Sequence, residues 1–181
     1  VCTEETPLNP LSIYGKSKTL GEQEVLKYKN SIAFRFATAF GVSPRLRLDL
    51  LVNDLSYSAY TQKYIAVYEA HFMRTFIHIK DIARVFEFAI NRAEDMCGNV
   101  YNVGSNSMNY SKKDVCEMIQ ERTGSYVHYA DFDGDADKRD YIVSYDKVNE
   151  LGFETTLGLE KGIDELLTVF PLVQINNKYR N

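Results

Sequence analysis

The chain has 181 residues, 45% of them hydrophobic and 25% charged, which fits one globular domain with at most a small appendage and excludes a disordered or fibrous chain. Lysine plus arginine number 21 against 25 acidic residues, a formal charge of −4, so wholesale nucleic-acid binding is excluded because it needs a strongly basic surface. Three widely spaced cysteines (Cys2, Cys97, Cys116) and three unclustered histidines argue against a disulfide scaffold or a metal site, and the thiols read as reduced in a cytoplasmic setting. No apolar run reaches the ~20 residues of a membrane span. Val1 to Glu5 carries no signal-peptide pattern.

In chain order, Thr6 to Pro10 is a proline-stiffened extended loop, and Ser12 is placed to cap a helix running from Ile13 to about Lys29. Ile32 to Phe36 is an apolar strand ending near Gly41, followed by a loop to Arg47. Asp49 opens an amphipathic helix with Leu50, Leu51, Leu55 and Ala59 on one face. Tyr64 to Tyr68 and Thr75 to Ile79 read as strands. Asp81 begins a helix to about Arg92, whose apolar stripe is Ile82, Val85, Phe86, Ala89 and Ile90. Val100 to Val103 is a strand closed by Gly104. Ser111 caps a helix with Val115, Met118 and Ile119 inward, stopped by Gly124. Tyr126 to Tyr129 alternates like an edge strand, and Asp131 to Asp140 is an acidic loop. Short helices follow near 146–151 and 159–169. This alternation of strands and helices predicts an α/β fold.

Two features bear on chemistry. No glycine-rich G-x-G-x-x-G loop joins a strand to a helix, so the chain does not itself carry the usual cradle for a dinucleotide pyrophosphate. Tyr14 and Lys18, in Tyr14-Gly15-Lys16-Ser17-Lys18, stand one helical turn apart on one face. A phenol, with a reference pKa of about 10, is a poor base at neutral pH. An ammonium held beside it favours the phenolate, and the pair then forms a proton-transfer device for an alcohol or sugar hydroxyl. Tyrosine and lysine at this spacing also decorate many surface helices.

The run from Glu5 to Lys18, with Glu22 four residues on, resembles the catalytic helix of the extended short-chain dehydrogenases/reductases, in their nucleotide-sugar epimerase and dehydratase branch. Phe34 to Gly41 resembles the strand and loop after that helix, and Arg74 to Asp81 the arginine-led segment before the next one. Asn102-Val103-Gly104 and Leu151-Gly152-Phe153 match later landmarks in order. The resemblance implies that Tyr14 is the acid/base and that Lys18 holds the nicotinamide ribose. It further places Phe36 at the nicotinamide end, Thr38 against the substrate, and Arg74 and Arg139 on the substrate diphosphate. Arg45 and Arg47 would border the substrate pocket.

Read without the resemblance, Arg45 and Arg47 are surface charges, and Arg139 pairs with Asp135 or Asp137. His78 is then a core histidine, and Lys112-Lys113 a solvated helix start. The sequence also departs from the family pattern. The upstream catalytic Ser or Thr is absent, Thr38 stands where many sugar epimerases have asparagine, and Glu69-Ala70-His71-Phe72 replaces a glycine-containing turn, so the hairpin expected there must be built differently.

The resulting expectation is a partial Rossmann-like, doubly wound sheet lacking its N-terminal half, plus a smaller mixed α/β substrate-binding region. Residues 1–42 belong to the NAD(P)-binding domain and 43–181 mostly to the substrate region, with 75–103 contributing partly to the Rossmann sheet. The function implied is that of the C-terminal portion of a NAD(P)-dependent nucleotide-sugar epimerase or dehydratase. NAD or NADP would serve the complete enzyme, with none bound to this chain alone. The partners implied are a nucleotide-diphosphate sugar and a second copy in a homodimer, without nucleic acid or membrane. The alternatives are a non-catalytic module binding nucleotide sugar or a partner chain, and a related carbonyl reductase.

Overall fold

The computed structural model describes residues 1–130 and 140–173. Helix α1 spans Ile13–Val25, with the Ser12 Oγ accepting from the Gly15 N–H at 3.0 Å. The helix ends short of Lys29 because its last carbonyls are taken by tighter i−3 bonds and by Ser31, whose hydroxyl donates to the Val25 and Tyr28 carbonyls. Strand β1 (Ile32–Phe36) follows, then β2 (Thr38–Phe40). The single expected run is thus two strands in different sheets. The Ala37 N–H makes the last bond to the strand beside β1, through the Val103 carbonyl at 3.0 Å, and the next residue joins a new partner.

Helix α2 spans Leu51–Gln62 and has no side-chain cap; Asp49, expected to open it, instead binds Arg47. Strands β3 (Tyr64–Tyr68) and β4 (Met73–His78) lead to helix α3 (Ile79–Asn91), then α4 (Ala93–Met96) and β5 (Asn99–Val103). Strand β6 (Asn109–Ser111), α5 (Lys112–Thr123) and β7 (Tyr126–Ala130) come next. Helices α6 (Asp146–Glu150) and α7 (Leu159–Val169) follow.

Among the described residues the strands form three small sheets. β1 pairs with β5 in parallel, Ile32 opposite Asn99 through Phe36 opposite Val103. β2 pairs in parallel with β4, which pairs antiparallel with β6. β3 pairs in parallel with β7. No hairpin joins β3 to β4, because they belong to different sheets. The turn between them is made by Glu69 itself at φ 51°, the left-handed region usually left to glycine.

Two apolar cores result. One gathers α2, α5, α7 and the inner faces of β3 and β7 around Phe40, Phe76, Ile119 and Leu166. The other lies under α3 and α6, around Ile77, Val85, Tyr101, Val103 and Tyr145.

Several expectations are corrected here. Phe86 and Ile90 are exposed, and α3 buries only Asp81, Val85 and Ala89, because a sheet of two strands is narrower than the stripe laid against it. α3 begins two residues before Asp81, with His78 as its cap. Lys112 is not a solvated helix start: its ammonium bonds the Tyr68 carbonyl at 3.0 Å and the buried Glu69 carboxylate at 3.3 Å. His78 is fully buried, as its place beside the core requires.

Candidate active site

Helix α1 buries none of its residues, so specific side chains must tie it down. Tyr14, Lys18 and Glu22 follow one another at single-turn intervals on one face. At the foot of the row, Glu22 accepts two bonds from Arg35 of β1, at 2.8 and 2.7 Å, and Arg35 also donates to the Glu4 carbonyl at 3.1 Å. The hydrogen bonds it donates to Glu22 hold the guanidinium above its usual pKa, against partial burial. At the head of the row, Tyr14 is 70% exposed. The Lys18 ammonium lies 5.4 Å from the centroid of its ring, within cation–π range.

This row flanks a cleft of about 720 Å³ along β1, lined among others by Leu8, Tyr14, Lys18, Glu22, Phe34 and Phe36. β5 occupies one edge of β1; among the described residues no strand occupies the other. Tyr14, Lys18 and Phe36, singled out in the sequence, therefore converge on one cleft. Phe36 is 37% exposed and packs with Phe34 and Phe86, with ring centroids 5.5–5.8 Å apart. It also lines a second cavity of about 310 Å³, with Thr6, Asn9, Thr75, Asn102 and Tyr145.

The remaining expected residues are placed differently. Thr38 lies on β2 opposite Phe76, and Arg74 lies on β4 two residues before Phe76, so Thr38 and Arg74 share a sheet face. Arg74 is buried, faces Tyr110 of β6 across the ladder, and donates to the Met73 carbonyl at 3.4 Å. It does not line the Tyr14 cleft. Arg139, with Asp135 and Asp137, lies outside the described residues.

Arg45 and Arg47 are exposed and line a third cavity of about 220 Å³, with Gly41, Leu50 and Asn53. The Arg47 guanidinium is bonded to Asp49 at 2.9 and 2.5 Å, which raises its pKa and lowers that of Asp49.

The sequence reading missed three anchors. The sequence singles out Glu22 but not its partner Arg35, although strand alternation puts Arg35 and Ala33 on the face opposite Phe34 and Phe36. Asn53 carries no local signal beyond its place in the expected helix opened by Asp49. Asp81, fully buried, accepts bonds from the Thr156 and Leu157 amides, the Thr156 hydroxyl and Arg84, so it clamps α3 to the stretch before α7. The one sequence signal for Asp81 is an acid in the first turn of a helix, four residues before the buried Val85.

Among the described residues no group of three His, Cys, Asp or Glu side chains is placed to hold a metal ion. Burial pushes the Cys116 thiol up to about 12, which leaves it inert. No described helix is long and apolar enough to cross a membrane.

The parallel β1–β5 ladder, with a helix bearing Tyr14 and Lys18 on one side and α3 on the other, defines an α/β protein of Rossmann-like type. The chain belongs to the NAD dependent epimerase/dehydratase family, whose family model matches residues 2–104. It is 28% identical over 137 residues to an uncharacterized UDP-glucose epimerase of Bacillus subtilis, covering 71% of this chain and 42% of that protein. In structure it resembles a dTDP-glucose 4,6-dehydratase of Bacillus anthracis in complex with NAD, at 25% identity and a TM-score of 0.79, covering 94% of this chain and 56% of that one. It also shares its fold with a UDP-glucose 4-epimerase of Thermotoga maritima with UDP-glucose, at 20% identity and a TM-score of 0.77, covering 94% and 57%. The chain thus spans about half the length of these relatives.

Proposed function

We propose that this chain is the C-terminal portion of an extended short-chain dehydrogenase/reductase that epimerises or dehydrates a nucleotide-diphosphate sugar by transient oxidation of a sugar hydroxyl. The observation that carries the reading is the convergence of Tyr14, Lys18 and Phe36 on one cleft beside an unpaired strand edge. Family membership and the UDP- and dTDP-sugar enzymes among the relatives support it.

The cleft suits the nicotinamide–ribose end of NAD, with an aromatic wall at Phe36 and a cation at Lys18. The sequence contains no glycine-rich loop for the pyrophosphate, so only that end of the cofactor finds residues here. When bound, NAD supplies the acceptor for the hydride leaving the sugar carbon. The Tyr14 oxygen takes the hydroxyl proton and later returns it, and Lys18 positions the ribose. In this reading residues 1–42, with part of 75–103, complete the cofactor domain, and Thr38, Arg74 and Arg139 serve the substrate.

Calorimetric titration of this chain with NAD tests the division of labour. The expected result is no tight binding; micromolar affinity would show that the cofactor site is contained in these residues and overturn the reading.

A further inference from the structure

The loop from Gly41 to Arg47 carries two arginines to the mouth of the third cavity, and its shape is set from outside. Leu46 and Leu48 are buried on either side of Arg47, so alternation turns Arg45 and Arg47 outward. The Ser43 hydroxyl braces the middle by donating to the Arg45 carbonyl at 2.7 Å. Gly41 starts the loop at φ 106°, and a Cβ there would lie 2.4 Å from the buried His78 Nε2, so the loop cannot back away on that side. Both ends of the loop meet one side chain. Asn53, in the first turn of α2 and 1% exposed, accepts from the Gly41 N–H at 3.0 Å and donates to the Arg47 carbonyl at 2.8 Å. Its amide nitrogen also lies 3.5 Å from the Gly41 carbonyl.

We infer that Asn53 is a positioning residue, which acts by clamping the Gly41–Arg47 loop so that Arg47 is presented at the mouth of the third cavity to the anionic part of a nucleotide-diphosphate sugar. The ligand in this inference rests on the function proposed above; the clamp does not. The residue type is dictated by the two ends. One end offers an N–H and the other a carbonyl, and only an amide side chain of this length both accepts and donates. A carboxylate would face the Arg47 carbonyl with a second acceptor, and an aliphatic side chain would leave both backbone groups buried and unpaired. Asp49 holds the Arg47 guanidinium through two hydrogen bonds, so the clamp fixes a charge that is already oriented.

The test uses Asn53→Asp, with Asn53→Ser as a second variant that folds if the first does not, each checked by circular dichroism. Hydrogen exchange in this chain reads the clamp: amides of residues 41–47 should exchange about tenfold faster, with β4 and β5 unchanged. Unchanged loop exchange in a folded variant overturns the inference. UDP-glucose binding to the protein carrying its cofactor half reads the consequence: affinity should fall about tenfold. In an Arg47→Ala background the same Asn53 substitution should change affinity less than about twofold, because it acts through Arg47. An equal loss in both backgrounds marks Asn53 as merely structural and overturns the positioning role. A loosened loop in a protein that never binds UDP-glucose supports the clamp and overturns the sugar-nucleotide reading instead.

Discussion

Arg35 and Glu22 join strand β1 to helix α1 by two charge-assisted hydrogen bonds, with side chains 23% and 16% exposed. Because α1 buries no residue, this pair does for the helix what an apolar face does elsewhere. Glu22→Ala should therefore loosen α1 selectively. The half-buried position lies between exposed pairs and fully buried ones, so the expected cost is about 1–2 kcal/mol. Hydrogen exchange should rise in residues 13–25 while β4 stays protected; uniform exchange through the chain would contradict this.

Gly104 sits where a Cβ would lie 2.5 Å from the Tyr145 ring, which is fully buried and hydrogen-bonded to Thr75. Gly104→Ala should cost about 1–3 kcal/mol, because neither the ring nor the strand end can yield freely. Urea unfolding measures it. Tyr145→Val in the same background should recover part of the loss relative to Tyr145→Val alone, a coupling that would vanish if the glycine served only backbone freedom.

His78 gives the chain an acid-sensitive joint. Its Nδ1 accepts from the Lys80 N–H at 3.2 Å, which puts the proton of the neutral ring on Nε2. Nε2 lies 3.3 Å from Glu165 of α7, outside good hydrogen-bond geometry, and Lys80 and Asp81 stand nearby. Burial, opposed by Glu165, holds the imidazole below its ordinary pKa. With the folded value depressed, the unfolded chain binds the extra proton first, so stability falls as pH drops below about 6.5. Glu165, held low mainly by its bond to Lys80, adds a separate loss only below about pH 4.3. His78→Asn keeps a cap acceptor without the titration. Its urea midpoint should be flatter between pH 7 and pH 5 than that of the unmodified chain; an equal slope would remove His78 from this role.

Element order was legible because each segment carries its own period: Ser12 and Ser111 as caps, Gly124 as a stop, alternation in Tyr64 to Tyr68. Sheet membership was not, because nothing local marks Ala37 as the point where the chain leaves β5 for β4. Period alone does not report the width of the sheet beneath α3, and the two paired strands among the described residues leave Phe86 and Ile90 in solvent. Lys112 with Glu69 and Asn53 with Gly41 are long-range pairs that no short window contains. At the site, Tyr14 and Lys18 were visible because a helix fixes their spacing. The surroundings of Thr38 and Arg74 depend on which strands pair.

The most direct test of the proposed function is Tyr14→Phe in a protein that carries the proposed cofactor half, with turnover of a nucleotide-diphosphate sugar and cofactor content measured on the same sample. The expected result is a kcat lower by about 100- to 10,000-fold with cofactor still bound, the range that follows when an acid/base group is removed. Near-normal turnover would contradict it.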